Sequence, residues 1–407
     1  MNLSHASRFT RLSGLLSEWQ DVWRPLPFRG PVPPWAARFP EMTRALLDLP
    51  DRDRERLEAD PFTASPLAPW LPVELLRDLV RLPELPGPAS SLPERWSRHV
   101  GGRKWRQIEA FVARVDAAPG QPLVEWCAGK AHLARTLARR HGTAVTALER
   151  QPSLCAEGQA LADGQDLPVR LQVQDVLEQG AERWLAAGAH VAALHACGDL
   201  HQRLLALAVQ KGCSITLAPC CYQRTSAGRY RPLSGLGREL AAAHGLELTR
   251  EDLALAVQET VTAPRSVRLA REKASAWRLG FDLLQREVRG VDDYLNVPSL
   301  PQGRLHQRFE DFCRWAAASR NLRLPSACDW PALEKAGWRR QAEVARMELV
   351  RHLFRRPLEV WLALDRLQLL AEAGFRVELG SFCDPGLTPR NLLLRASPPE
   401  AAPAATA

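Results

Sequence analysis

Lysine is scarce in this chain. Only Lys104, Lys130, Lys211, Lys273 and Lys335 stand among 54 basic residues, so arginine carries the net charge of +8. That usage fits a GC-rich genome, and it also gives a non-specific, salt-sensitive attraction to phosphates. No run reaches the roughly 18 uninterrupted apolar residues of a membrane helix, so no membrane partner is expected. The N-terminal stretch M-N-L-S-H-A-S-R-F-T-R lacks the apolar core of a secretory signal. The nine cysteines include no C-x-x-C pair. An odd number of thiols in a long chain without an export signal points to reduced cysteines and a cytoplasmic protein.

What is present suits a globular protein: 407 residues, 46% hydrophobic and 25% charged, enough for a sizeable core. Prolines crowd residues 1–95, among them Pro25, Pro27, Pro31, Pro33 and Pro34. Proline breaks long helices, so short helices joined by extended segments are predicted there, such as 44–49 and 73–81. This mainly helical, Pro- and Trp-rich region reads as an accessory domain, a lid, or the seat of a protein partner.

From about residue 96 the pattern becomes α/β. Apolar strands are predicted at 123–126, 144–148, 169–173, 191–194 and 214–217, separated by helical stretches. That alternation implies βαβ units and a parallel sheet with right-handed connections. Residues 225–355 break the rhythm with helical, arginine-rich sequence, including Arg265, Arg268, Arg271, Arg339, Arg340 and Arg346. The pattern then resumes with a helix at 358–373 and strands at 375–382 and 391–394, a closing antiparallel hairpin. The expected domain is therefore 96–397 with a basic helical insertion at 225–355, and a disordered tail at 398–407.

The first strand ends in Val124-Glu-Trp-Cys-Ala-Gly-Lys-Ala-His-Leu133. An acid at a strand end followed by small residues lets backbone approach a nucleotide closely. Cys127, Gly129 and Ala131 occupy positions where such loops often carry three glycines. Glu149 closes the second strand 24 residues after Glu125 (149 − 125), placed to accept from ribose hydroxyls. Asp175, after the third strand, can accept from an adenine amino group. Each acid alone also suits a solvated loop.

The fourth strand ends in Ala193-Leu-His-Ala-Cys-Gly-Asp-Leu-His201 and the fifth in Ala218-Pro-Cys-Cys-Tyr-Gln223. Adjacent strands bring His195, Cys197, Asp199, Cys220, Cys221 and Tyr222 to one sheet edge. G-K-x-H-L, H-A-C-G-D-L and C-C-Y, in that order, resemble the methyltransferase-domain family shared by several methyltransferase-like proteins and the glutathione S-transferase C-terminal domain-containing protein. The loop and C-C motif are more distantly similar to tRNA 2′-O-methyltransferases of the acceptor stem. Thr388-Pro-Arg-Asn-Leu392 resembles the family's final strand. The likeness covers about 97–245 and 356–396, and departs at Ala131 and at Tyr222-Gln223.

The resemblance implies a Rossmann-like sheet and S-adenosyl-L-methionine as cofactor, held by Glu125, Cys127, Gly129, Lys130, His132, Glu149, Asp175 and His195. Catalytic candidates are His195 and Asp199 for proton handling, Tyr222 for stacking on or bonding the acceptor, and Cys220 and Cys221. Alternatively, His195 is a packed strand-end residue and the cysteines fill the sheet edge. Zinc is not expected: successive strand residues face opposite ways, so Cys220 and Cys221 need a turn to converge. The expected partner is RNA, through the arginine-rich helices. A protein or small-molecule methyltransferase, or a scaffold that has lost catalysis, remains as the alternative.

Overall fold

In the computed structural model, residues 3–30, 32–88, 92–258, 264–299 and 307–399 are described. The disordered tail expected from 398 lies, from residue 400 onward, outside them. Seven strands form one sheet: β1 (Leu123–Trp126), β2 (Val145–Glu149), β3 (Val169–Val173), β4 (His190–Cys197), β5 (Ser214–Cys220), β6 (Arg376–Ser381) and β7 (Leu392–Ser397). Their spatial order is β3-β2-β1-β4-β5-β7-β6. The first five pair in parallel, whereas β7 runs antiparallel to both β5 and β6. This is the Rossmann-like sheet with a closing antiparallel hairpin that the sequence predicts.

The central strands are apolar because helices cover both faces of a parallel sheet. All four residues of β1 are buried, and so are the last six of β5. The helices that bear on the sheet edge are α1 (Gly102–Val112), α2 (His132–His141), α3 (Pro152–Asp163) and α4 (Asp199–Lys211). Strand order reverses between β1 and β4, which leaves a crevice beyond their carboxyl ends, the usual ligand position in open α/β sheets.

The chain divides into two compact units. One comprises Met1–Ser17, Leu79–Glu259 and Arg355–Ala407, and holds the whole sheet. Within it, Phe9 packs against Trp361 with centroids 5.2 Å apart, and Trp361 Nε1 donates to Ser13 Oγ at 2.8 Å. The other comprises Glu18–Asp78 and Thr260–Phe354. Its core includes Trp277, Phe281, Phe309 and Phe312. There, Arg340 donates to the Pro27 carbonyl, Arg346 to that of Leu49, and Arg351 to that of Trp23.

These units are cut differently from the linear division at residues 95, 225 and 355. Segments far apart in sequence form one compact unit, and the arginines that cross between them bond backbone carbonyls. One helix, α5 (Trp330–Glu372), also runs unbroken through Pro357, where a helix start near 358 was predicted. Among the described residues, no helix is long and apolar enough to cross a membrane.

Candidate active site

A cavity of about 440 Å³ opens at the carboxyl edge of the sheet. Its walls come from the ends of β1 to β4 and from the loop after β5: Cys127, Glu149, Asp175, Cys197, Asp199 and Arg224 all line it. The loop after β1 is shaped by three left-handed residues, Cys127, Gly129 and Ala131, with φ of 63°, 58° and 53°. These are the three positions expected to carry glycine. Non-glycine residues pay roughly 1–2 kcal/mol for that conformation, so the surrounding fold imposes it. The loop thus keeps its glycine-type shape without most of its glycines.

Glu149 and Gly129 meet directly, with the glycine N–H donating to the carboxylate at 2.9 Å. The other carboxylate oxygen accepts from the Gln151 N–H, also at 2.9 Å. Asp175 accepts from the Leu177 N–H at 3.0 Å, with the Arg150 guanidinium 3.8 Å away. Asp199 begins α4 and accepts from the Ser226 N–H at 2.9 Å. Gly198 before it donates to the Cys220 carbonyl and the Asp199 N–H to that of Arg224, so the ends of β4 and β5 are knitted together.

Other candidates lie off the cavity wall. Glu125 is buried and accepts from the Ala134 N–H at 2.8 Å, which places its carboxylate on the first turn of α2. Burial pushes its pKa up to about 8, against the pull of that N–H and of Lys104. Lys130 pairs with Glu157, and both border a shallow surface pocket with His132. Burial, and then Arg135 close by, lower the His132 pKa to about 4. Tyr222 is only 1% exposed, beneath the Arg366 guanidinium at 4.7 Å, and its hydroxyl is buried without a hydrogen-bond partner. The ring so covered offers no face to an acceptor, contrary to the stacking expectation.

His195 sits at a β-bulge in β4, at φ 61°. Its Nε2–H donates to Gln107 Oε1 at 3.1 Å, leaving the buried Nδ1 unpartnered. Burial, with Lys104 and Arg390 nearby, lowers its pKa to about 4, so the imidazole is neutral. The cysteines converge in spite of strand alternation. Parallel register sets Cys197 beside Cys220, their sulfurs 3.6 Å apart. Cys221, at φ 47°, turns the chain so that its sulfur joins them, all three within 4.8 Å of one another. Hydrogen bonds from Cys197 and Cys220, then the Arg390 and Arg224 guanidiniums, favour the thiolate at Cys221.

Sequence reasoning missed Gln107, Gln174, Arg224, Ser226 and Arg250. Gln107 lies on α1, far from any motif, so only tertiary structure reveals it. Arg224 and Ser226 directly follow the C-C-Y motif, a signal that was available.

Residues 103–228 match a methyltransferase-domain family. They hold β1 to β5 and every residue that lines the cavity except Arg250. Methyltransferases of this family use S-adenosylmethionine. Similar solved structures include a Haloferax volcanii complex of the Trm112 methyltransferase activator with a methyltransferase: 20% identity, 31% of this chain, 61% of that chain, TM-score 0.25. A coclaurine N-methyltransferase bound to N-methylheliamine and S-adenosylhomocysteine aligns at 13% identity over 44% of this chain and 62% of its own, TM-score 0.26. An RNA methyltransferase from Salinibacter ruber with S-adenosylhomocysteine aligns at 16% over 35% and 86%, TM-score 0.24. The chain spans between 42% and 62% of the first four solved structures it matches.

Proposed function

We propose that this chain is an S-adenosylmethionine-dependent methyltransferase that modifies RNA. The observation that carries the reading is the cavity itself, at the sheet's switch point on the stretch that matches a methyltransferase domain. Its volume, about 440 Å³, falls in the roughly 300–1,000 Å³ range of small-molecule sites. The donor set fits the cofactor. Glu149 suits the ribose hydroxyls, Asp175 the adenine amino group, and Gly129 has no neighbour within 4 Å of where a Cβ would stand.

S-adenosylmethionine supplies an electrophilic methyl group, and the protein's part is mainly positioning. An oxygen acceptor must also lose a proton. Asp199 is the carboxylate on the wall beside Arg224, and His195 is a neutral imidazole with Nδ1 able to accept. Lys130, His132 and Glu125 act one layer back, holding the loop and the start of α2 in place.

RNA is favoured because Arg150, Arg224 and Arg250 all line the cavity and the chain carries +8. Arginine forms bidentate contacts to phosphate. The acceptor-stem specificity of the tRNA enzymes is not carried over, since Tyr222 is buried. The accessory role belongs to the unit of 18–78 and 260–354, in which Arg339, Arg265 and Arg271 are exposed. Protein or small-molecule methylation is the second reading, favoured by the engagement of Arg340, Arg346 and Arg351 with backbone carbonyls.

The test is transfer of a tritiated methyl group from S-adenosylmethionine to RNA and protein fractions of a strain lacking this protein. Label in RNA that disappears with Asp199→Ala supports the proposal, and nucleoside digestion then names the acceptor. Label in protein alone selects the second reading. No label in either fraction, with cofactor binding seen by calorimetry, leaves a small-molecule substrate or a scaffold.

A further inference from the structure

Three thiols meet beside the cavity, and one of them, Cys197, lines its wall. Cys197, Cys220 and Cys221 hold their sulfurs within 4.8 Å of one another, and the Cys197–Cys220 separation is 3.6 Å. A tetrahedral zinc ion with Zn–S bonds of about 2.3 Å holds its sulfurs roughly 3.8 Å apart. We infer that these cysteines form a zinc site with three protein ligands, its fourth position open at the cavity wall.

The convergence is built rather than incidental. Parallel register fixes Cys197 opposite Cys220, the bulge at His195 breaks the alternation of β4, and the left-handed Cys221 returns its sulfur to the same side. Left-handed conformations at non-glycine residues are costly and persist where the fold over-determines them, a pattern that clusters at functional sites. Cys220 is 3% exposed whereas Cys197 and Cys221 are half-buried, so an ion there would be covered on one side and open on the other. Three thiolates and Zn²⁺ leave a net charge of −1. The guanidiniums of Arg224 and Arg390, which act on Cys221, offset it.

Cys197 lines the cavity, which puts the fourth position within reach of what enters it. Zinc sites with three protein ligands keep the fourth for water or substrate, and coordination lowers the pKa of a bound hydroxyl or thiol. Ligands that are still thiols give their protons to solvent on binding, so uptake of the ion is coupled to proton release and weakens at low pH. The inference stands on the thiol geometry and does not depend on RNA being the acceptor.

The test uses the full chain, purified without added metal, and reads zinc by elemental analysis and by competition with a chromophoric chelator. About one zinc per chain is expected, with affinity falling at least tenfold in Cys221→Ser and unchanged in Cys328→Ser, which lies in the other unit. A second measurement needs no variant: alkylation of the folded protein with and without zinc, followed by peptide mass analysis. Protection of Cys197, Cys220 and Cys221 together is the supporting result. Absence of tight zinc binding, unchanged affinity in Cys221→Ser, protection at other cysteines, or a Cys197–Cys220 disulfide in reduced protein would each overturn the site. Methyl transfer is not read in either measurement, so a failure here is separate from a failure of the methyltransferase reading.

Discussion

Arg366 donates its Nε–H to Nε2 of His201 at 2.7 Å, and both side chains are fully buried. The opposite ring nitrogen, Nδ1, donates to the Ala196 carbonyl at 2.9 Å, which fixes both the tautomer and the neutral state. Ala196 lies between His195 and Cys197, so helix α5 is tied through His201 to the end of β4. The same guanidinium covers Tyr222 and donates to the Tyr230 hydroxyl at 3.0 Å.

Arg366→Met removes that tie while keeping much of the side-chain volume. It leaves the His201 acceptor and the Tyr230 oxygen buried without their donor, at about 1–3 kcal/mol for each unsatisfied group. The expected outcome is a loss of about 3 kcal/mol in denaturant unfolding, together with weaker cofactor binding because the end of β4 loosens. A variant as stable as the parent would show that the link is incidental.

Acid should destabilise the fold before carboxylates titrate. His190, His195 and His201 are all held neutral by burial, His190 and His195 with pKa lowered to about 4 and His201 shifted the same way. The unfolded chain takes up these protons near pH 6.5. Between about pH 6.5 and 4 the unfolded state therefore binds more protons than the native state, and stability falls as pH drops through that window. Thermal midpoints at pH 7.5, 6.0 and 5.0 check this. A midpoint flat across the range would contradict the buried, neutral histidines.

Glu125 works in the opposite sense. Its pKa is raised by burial from about 4.5 to about 8, so the native state holds a proton that the unfolded state has released. Its contribution to stability is complete below about pH 4.5 and is lost as pH rises towards 8. Glu125→Gln keeps the shape and cannot ionise, so its stability relative to the parent should rise between about pH 4.5 and 8 and level off above that. The pH dependence of unfolding in the two proteins, measured side by side, decides. Parallel curves would mean that Glu125 is already ionised in the native state.

Much of this architecture was legible in the chain, for a physical reason. Strands β1 to β5 are local apolar runs, and β1 and β3 fall on their predicted residues, 123–126 and 169–173. Glu149, Asp175 and Asp199 were readable because strand ends and helix starts place them at one edge. What escaped was set by distant segments. Nothing local tells that residues 18–78 form one compact unit with 260–354, nor that arginines such as Arg346 and Arg351 bond backbone carbonyls there. Tyr222 was misjudged for the same reason, because the guanidinium that covers it comes from residue 366. The meeting of Cys220 and Cys221 was missed because alternation holds only while the strand lasts, and β5 ends at Cys220.

Two glycines at the same sheet edge should respond very differently to one methyl group. At Gly129 the φ is 58° and an added Cβ meets nothing within 4 Å, so alanine costs only the left-handed strain, roughly 1–2 kcal/mol. At Gly198 the φ is 49° with ψ −119°, a region that essentially only glycine adopts, and the added Cβ would overlap the Arg224 carbonyl. That carbonyl accepts from the Asp199 N–H, so it cannot move without uncoupling α4 from the loop after β5. Gly198→Ala should therefore lose well over 3 kcal/mol, and its cofactor affinity should fall with it. Gly129→Ala should fold and bind within about tenfold of the parent. Calorimetric unfolding and S-adenosylmethionine titration of the two variants test the contrast. Equal losses would mean that the approach of Arg224 to Gly198 does not set the shape of the site.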